Sequence, residues 1–114
     1  MNLDELTSNI QKISKDDSIQ KLLNNLESWK TDERNVFELR ENIERFFGNT
    51  WFEKQTDFDK IYGIWSEFKN SAIDGIGGMT MNERLYWFGA LDLFDNTKNE
   101  SERKRIYEKL MAAK

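Results

Sequence analysis

The sequence predicts an all-α fold: a single-domain bundle of five to six helices around a central aromatic-rich helix at about residues 80–95. Three observations lead there. Apolar residues recur every three to four positions along most of the chain, the spacing that lines up one face of a helix. Residues able to cap a helix precede most of these runs, and the 114-residue chain contains no proline to interrupt them. The stretch TMNERLYWFGALDLFD is so dense in large side chains that only Gly89, Ala90 and Asp92 break the apolar run from Leu85 to Phe94. A helix apolar on every side has to be surrounded by others.

Leu3, Leu6, Ile10 and Ile13 form a narrow stripe, so the first helix is expected to lie on the surface of the bundle. Asp16 or Asp17 is placed to cap a second helix carrying Ile19, Leu22, Leu23, Leu26 and Trp29 on one face, with Trp29 in the core. A third helix is expected from Thr31 or Asp32, with Val36, Leu39, Ile43, Phe46 and Phe47 inward and a left-handed cap at Gly48-Asn49. Surface pairs Arg34–Glu38 and Glu41–Arg45 are expected on its charged face.

The segment TWFEKQT offers two capping spacings, Thr50 with Glu53 and Thr56 with Asp59, which predicts a short turn before a longer helix. Trp51 and Phe52 there are either a lid inserted into the core or an exposed apolar patch for a partner. The following helix presents Phe58, Ile61, Tyr62, Trp65, Phe68 and Ala72 inward. Gly63 within it and Gly89 in the central helix each cost about 1 kcal/mol of helix propensity, so the two helices are expected to cross closely at these glycines. Residues 73–79, IDGIGGM, read as a hinge and match no phosphate-binding loop.

Thr80 and Glu83 have the spacing of a reciprocal cap at the start of the central helix. Asp92 and Asp95 fall on the flank of Leu85, Phe88 and Arg84, where each carboxylate needs a partner or a solvated helix end. Asn99 and Glu102 open a last helix bearing Ile106, Tyr107, Leu110 and Met111, with Arg103, Lys104 and Arg105 as a solvated face.

Composition narrows the chemistry. With neither histidine nor cysteine, the usual zinc sites, histidine-based triads, thiolate nucleophiles and disulfides are excluded, and no cofactor or metal is expected. The net charge of −4 is uneven, at −6 over residues 1–99 and +2 over 100–114. An acidic body disfavours nucleic acid and favours a basic partner. No run approaches the length of a membrane span and MNLDELTSNI lacks the features of a signal peptide, so a cytoplasmic location is expected. A carboxylate enzyme built on Glu83, Asp92 and Asp95 is the weakest of three functional readings, because no second acidic motif completes a site.

Asn82, Glu83, Arg84, Leu85, Tyr86, Gly89, Asp92 and Asp95 together resemble a motif of small bacterial helical proteins: N-E-R-L and an aromatic, then glycine, then two acidic residues. Some of these are similar to immunity proteins that neutralise toxins exchanged between competing bacteria. The resemblance implies a non-enzymatic inhibitor that binds a cognate toxin domain, commonly a basic nuclease. The expected contact surface is Glu53, Asp57, Asp59 and Asp74, with Trp51 or Phe52 as an apolar anchor. The alternative is a helical adaptor or structural subunit of a bacterial complex, its partner covering the apolar surface around Trp51 and Phe52.

Overall fold

The computed structural model describes residues 1–112, and within them all regular structure is helical. The α-helices are α1 (Leu3–Ile13), α2 (Asp17–Trp29), α3 (Val36–Asn49), α4 (Gln55–Phe68), α5 (Met81–Trp87), α6 (Leu91–Asp95) and α7 (Glu100–Lys109). A π-helical turn, Lys69–Ile73, extends α4, and a 3-10 turn spans Ile76–Gly78. The all-α class is therefore as expected, with seven helices in place of five to six.

The centre of the fold lies elsewhere than expected. α1 lies at the surface as expected, with Asp4, Glu5, Ser8, Gln11 and Lys12 exposed, but its stripe reaches the core: Leu3, Leu6 and Ile10 are fully buried, and it packs against both α2 and α4. Its stripe is narrow, but two neighbours converge on it, and Asn2 with Glu5 forms a reciprocal cap that starts it. α2, α3 and α4 then enclose Ile19, Leu22, Leu26, Trp29, Leu39, Ile43, Ile61, Trp65 and Phe68. By contrast, the segment expected to be the surrounded central helix is two short helices that leave Tyr86, Leu91 and Leu93 exposed.

The break comes at Gly89, whose φ of +63° places it in the left-handed region. The Ala90 N–H donates to the Leu85 carbonyl at 2.8 Å and the Gly89 N–H to that of Tyr86 at 3.2 Å, the paired bonds of a Schellman cap. Buried Leu85 and Ala90 supply the apolar contact that accompanies such a cap. Gly89 is thus a helix terminator, and Gly63 is exposed on α4 with open space where a Cβ would stand, so the expected glycine crossing does not occur.

Other local expectations shift for similar reasons. α3 begins after Asn35, which forms a reciprocal cap with Glu38, rather than at Thr31 or Asp32. It ends on an extended Thr50 without a left-handed residue. Arg34 turns away from Glu38 to bond Asp32, Asn25 and Asn42. The 50–54 segment forms no helical turn, and α4 starts at Gln55 without a side-chain cap. The glycine-rich connection is folded into the π-helical and 3-10 turns, with Ile73 and Ile76 buried. Gly75 is confined there, since a Cβ would stand 2.7 Å from the Ser71 carbonyl oxygen.

α7 sets Ile106 and its C-cap residue Leu110 into the core and is also held by cations at its flank and its end. Lys109, only 8% exposed, donates to the carbonyls of Asp32 at 2.6 Å and Arg34 at 2.9 Å, and its ammonium lies 4.5 Å from the centre of the Trp29 ring. Burial pushes its pKa down, against the charge of Asp32. Arg84 on α5 donates to the carbonyls of Leu110 at 3.1 Å and Met111 at 2.8 Å, capping the end of α7.

A third polar node joins α3 to α4. Glu44 accepts from the Tyr62 hydroxyl at 3.0 Å, the Trp65 indole N–H at 3.2 Å and the Lys69 ammonium at 2.9 Å. Burial acts to raise the Glu44 pKa, but the bonds from Lys69, Tyr62 and Trp65 together hold it below the ordinary 4.5. A carboxyl with a lowered folded pKa stabilises the fold above its unfolded pKa and loses that contribution as pH falls through the folded value. We therefore expect Glu44→Gln to cost about 1–2 kcal/mol at pH 7 by weakening these charge-assisted bonds. In urea titrations the difference from wild type should shrink below pH 4.5; a difference that stays constant to pH 3 would contradict this account.

Candidate functional site

The connection between α3 and α4 presents the most exposed aromatic ring in the described structure. Thr50, Trp51 and Phe52 follow the last turn of α3 without entering a new helix, and successive side chains of such a non-helical segment can point to opposite sides. Phe52 turns inward and is 5% exposed, whereas Trp51 is 80% exposed. The two alternatives for this pair are thus divided between them. Phe52 packs edge-on to Phe58 at 5.1 Å between ring centres and also meets Phe46 and Phe47, which seats the base of the connection in the core. It is therefore a core residue and not an anchor for a partner.

Asp16 fixes the other side. Its carboxylate accepts from the Ser18 N–H at 3.0 Å, capping α2, and from the Glu53 N–H at 3.3 Å, tying the α1–α2 turn to the α3–α4 connection. These two backbone donors, Ser18 first, hold its carboxyl below the usual value, so it remains anionic. Between the two segments lies a hollow of about 350 Å³ lined by Asp16, Glu53 and Asp57 together with Lys15, Lys54 and Phe52. Asp59 is exposed on the first turns of α4, where it accepts from the Gln55 side chain at 2.9 Å.

The structure therefore brings Trp51, Glu53, Asp57 and Asp59 to one end of the molecule. Asp74 is at the other. It follows α4 and the π-helical turn, about 25 Å from Asp57 at 1.5 Å per residue, and bonds Arg40 at 3.0 Å. Asp16 takes its place at the Trp51 end. In sequence Asp16 was legible as a helix cap, but its link to Glu53 joins residues 37 positions apart and leaves no local pattern.

Much of the NERLY motif has a structural role. Glu83 and Thr80 cap each other's backbone at the start of α5, Arg84 caps α7, Leu85 is in the core and Gly89 ends α5. Asn82, Tyr86, Asp92 and Asp95 are exposed. The turn at Gly89 breaks the continuous helical register that would have carried the two aspartates onto the buried flank of Leu85 and Phe88. Among the described residues no group of three or more Asp, Glu, His or Cys side chains is arranged to hold a metal ion, and no helix is long and apolar enough to cross a membrane. No family model, curated protein or solved structure matches the chain.

Proposed function

We propose that this chain is a non-enzymatic inhibitor of the bacterial immunity type, which binds a basic, nuclease-type toxin domain in the cytoplasm and covers its cleft. The observation that carries the reading is Trp51, an 80% exposed indole next in sequence to the buried Phe52, on a connection that also carries Glu53 and leads into Asp57 and Asp59 on the first turns of α4. An exposed aromatic ring on a connection seated by Phe52, at an end of the molecule where Asp16, Glu53, Asp57 and Asp59 outnumber Lys15 and Lys54, suits an interface with a basic protein: the ring supplies a desolvated anchor, and the carboxylates steer and orient the encounter. The absence of histidine and cysteine and the net charge of −4 agree with a role in binding rather than catalysis. The toxin class rests on the resemblance of the NERLY motif.

The test is co-expression with the product of the gene immediately upstream, followed by purification and a toxicity assay. A complex of defined stoichiometry that rescues the cells is expected. Trp51→Ala should then weaken it by about tenfold or more, while Asp57→Lys with Asp59→Lys, which brings the net charge from −4 to zero, should slow association and flatten its salt dependence. Unchanged affinity in both variants would reject this surface. Failure to form any complex would reject the inhibitor reading for that partner.

A helical adaptor is the second reading, favoured by the exposure of Tyr86, Leu91, Leu93 and Met111 away from Trp51. Self-association at micromolar concentration that Tyr86→Ser abolishes would support it.

A further inference from the structure

A second hollow, of about 340 Å³, lies between the end of α2, the end of α6 and α7 and combines charged and apolar side chains. Its lining contains Lys30, Arg105 and Lys109 with Asp32 and Glu102, while Asp4 and Glu33 pair with Lys30 and Arg105 from outside that lining. The two carboxylates of the lining already have donors. Asp32 takes the backbone N–H of Arg34 at 3.0 Å and its Nε at 2.8 Å, as well as Lys109, and Glu102 takes the backbone N–H of Lys98 at 2.9 Å.

Lys30 and Arg105 are less committed. Lys30 gives one bond to Asp4, and Arg105 gives one to Glu33, whose side chain is largely in solvent; the remaining N–H groups of both are without a partner among the described residues. Leu93, partly exposed, and Ile106 supply an apolar wall. Lys109 closes the inner end, saturated by carbonyls and seated on Trp29.

We propose that this hollow binds a small amphipathic monocarboxylate, with its carboxylate on Arg105 and Lys30 and its apolar body against Leu93 and Ile106. The planar fork of Arg105 matches a carboxylate, and a volume near the lower end of ordinary ligand pockets limits the guest to a small molecule. The site is independent of the Trp51 surface and of the partner proposed for it.

The test is a titration of the full ¹⁵N-labelled chain with 4-phenylbutyrate, read by amide chemical shifts. Saturable shifts are expected at Leu93, Thr97, Arg105 and Ile106, with a dissociation constant of about 1 mM or below. Three changes should each weaken binding about fivefold or more: Arg105→Gln, removal of the charge by using 4-phenylbutan-1-ol, and removal of the apolar body by using inorganic phosphate. Arg105 is 53% exposed in its side chain, so a wild-type-like spectrum of the variant shows that the fold is retained. No saturable shift at these residues would overturn the proposal. So would equal binding of the alcohol or of phosphate, or unchanged affinity in Arg105→Gln.

Discussion

Lys109→Ala is expected to lower the unfolding free energy by about 2–4 kcal/mol, a large fraction of what a domain of this size has to spare. The substitution leaves the carbonyls of Asp32 and Arg34 without their donor and removes the cation from the Trp29 ring. It also deletes the aliphatic stem of a side chain that is 8% exposed. Lys109→Met separates these effects, since it keeps most of the stem and loses the donor; it should recover part of the loss in chemical denaturation. If both variants unfold at the wild-type midpoint, the ammonium is not holding α7 to the turn at Asp32.

Gly89→Ala should cost about 2–3 kcal/mol. An alanine at φ +63° carries left-handed strain of about 1–2 kcal/mol, and its Cβ would stand 2.6 Å from a carboxylate oxygen of Asp4, forcing that side chain off Lys30. The side chain of Asp4 is half-exposed and can move, so backbone strain is the larger part. The end of α7 provides the reverse experiment. Ala112 donates to the Tyr107 carbonyl and Met111 to that of Glu108, the same paired cap, but the left-handed position is held by Met111 at φ +55°. Met111→Gly should therefore stabilise the fold by up to about 1 kcal/mol, offset in part by the added freedom of the unfolded chain. Thermal unfolding of the two variants should shift in opposite directions; a shift in the same direction would contradict the strain argument.

The candidate surface was legible in part. Trp51 and the nearby acids stood out because an aromatic pair between two helical patterns is conspicuous, but nothing local told which ring faces water. That depended on Phe46, Phe47 and Phe58, which converge on Phe52 from other parts of the chain. Asp74 is close to the others in sequence, yet the length of α4 carries it to the opposite end of the molecule. Lys109 had a usable signal, since it lies three residues after Ile106 and beside Leu110 on the buried face. Its partners, 75 and 77 residues away, had none.

By itself the sequence determined the helical class, the inward faces of α2 and α4, the reciprocal cap of Thr80 with Glu83 and the cap at Asn99. These depend on interactions within a few residues, and a 3.6-residue period records them directly. Tertiary structure decided how deeply each apolar face is buried. The narrow stripe of α1 is buried because α2 and α4 both close over it, while the richer 80–95 stretch is cut at Gly89, where one left-handed residue outweighs the apolar run around it. Burial is shared among elements distant in the chain, so the apolar content of one segment does not fix its depth in the fold.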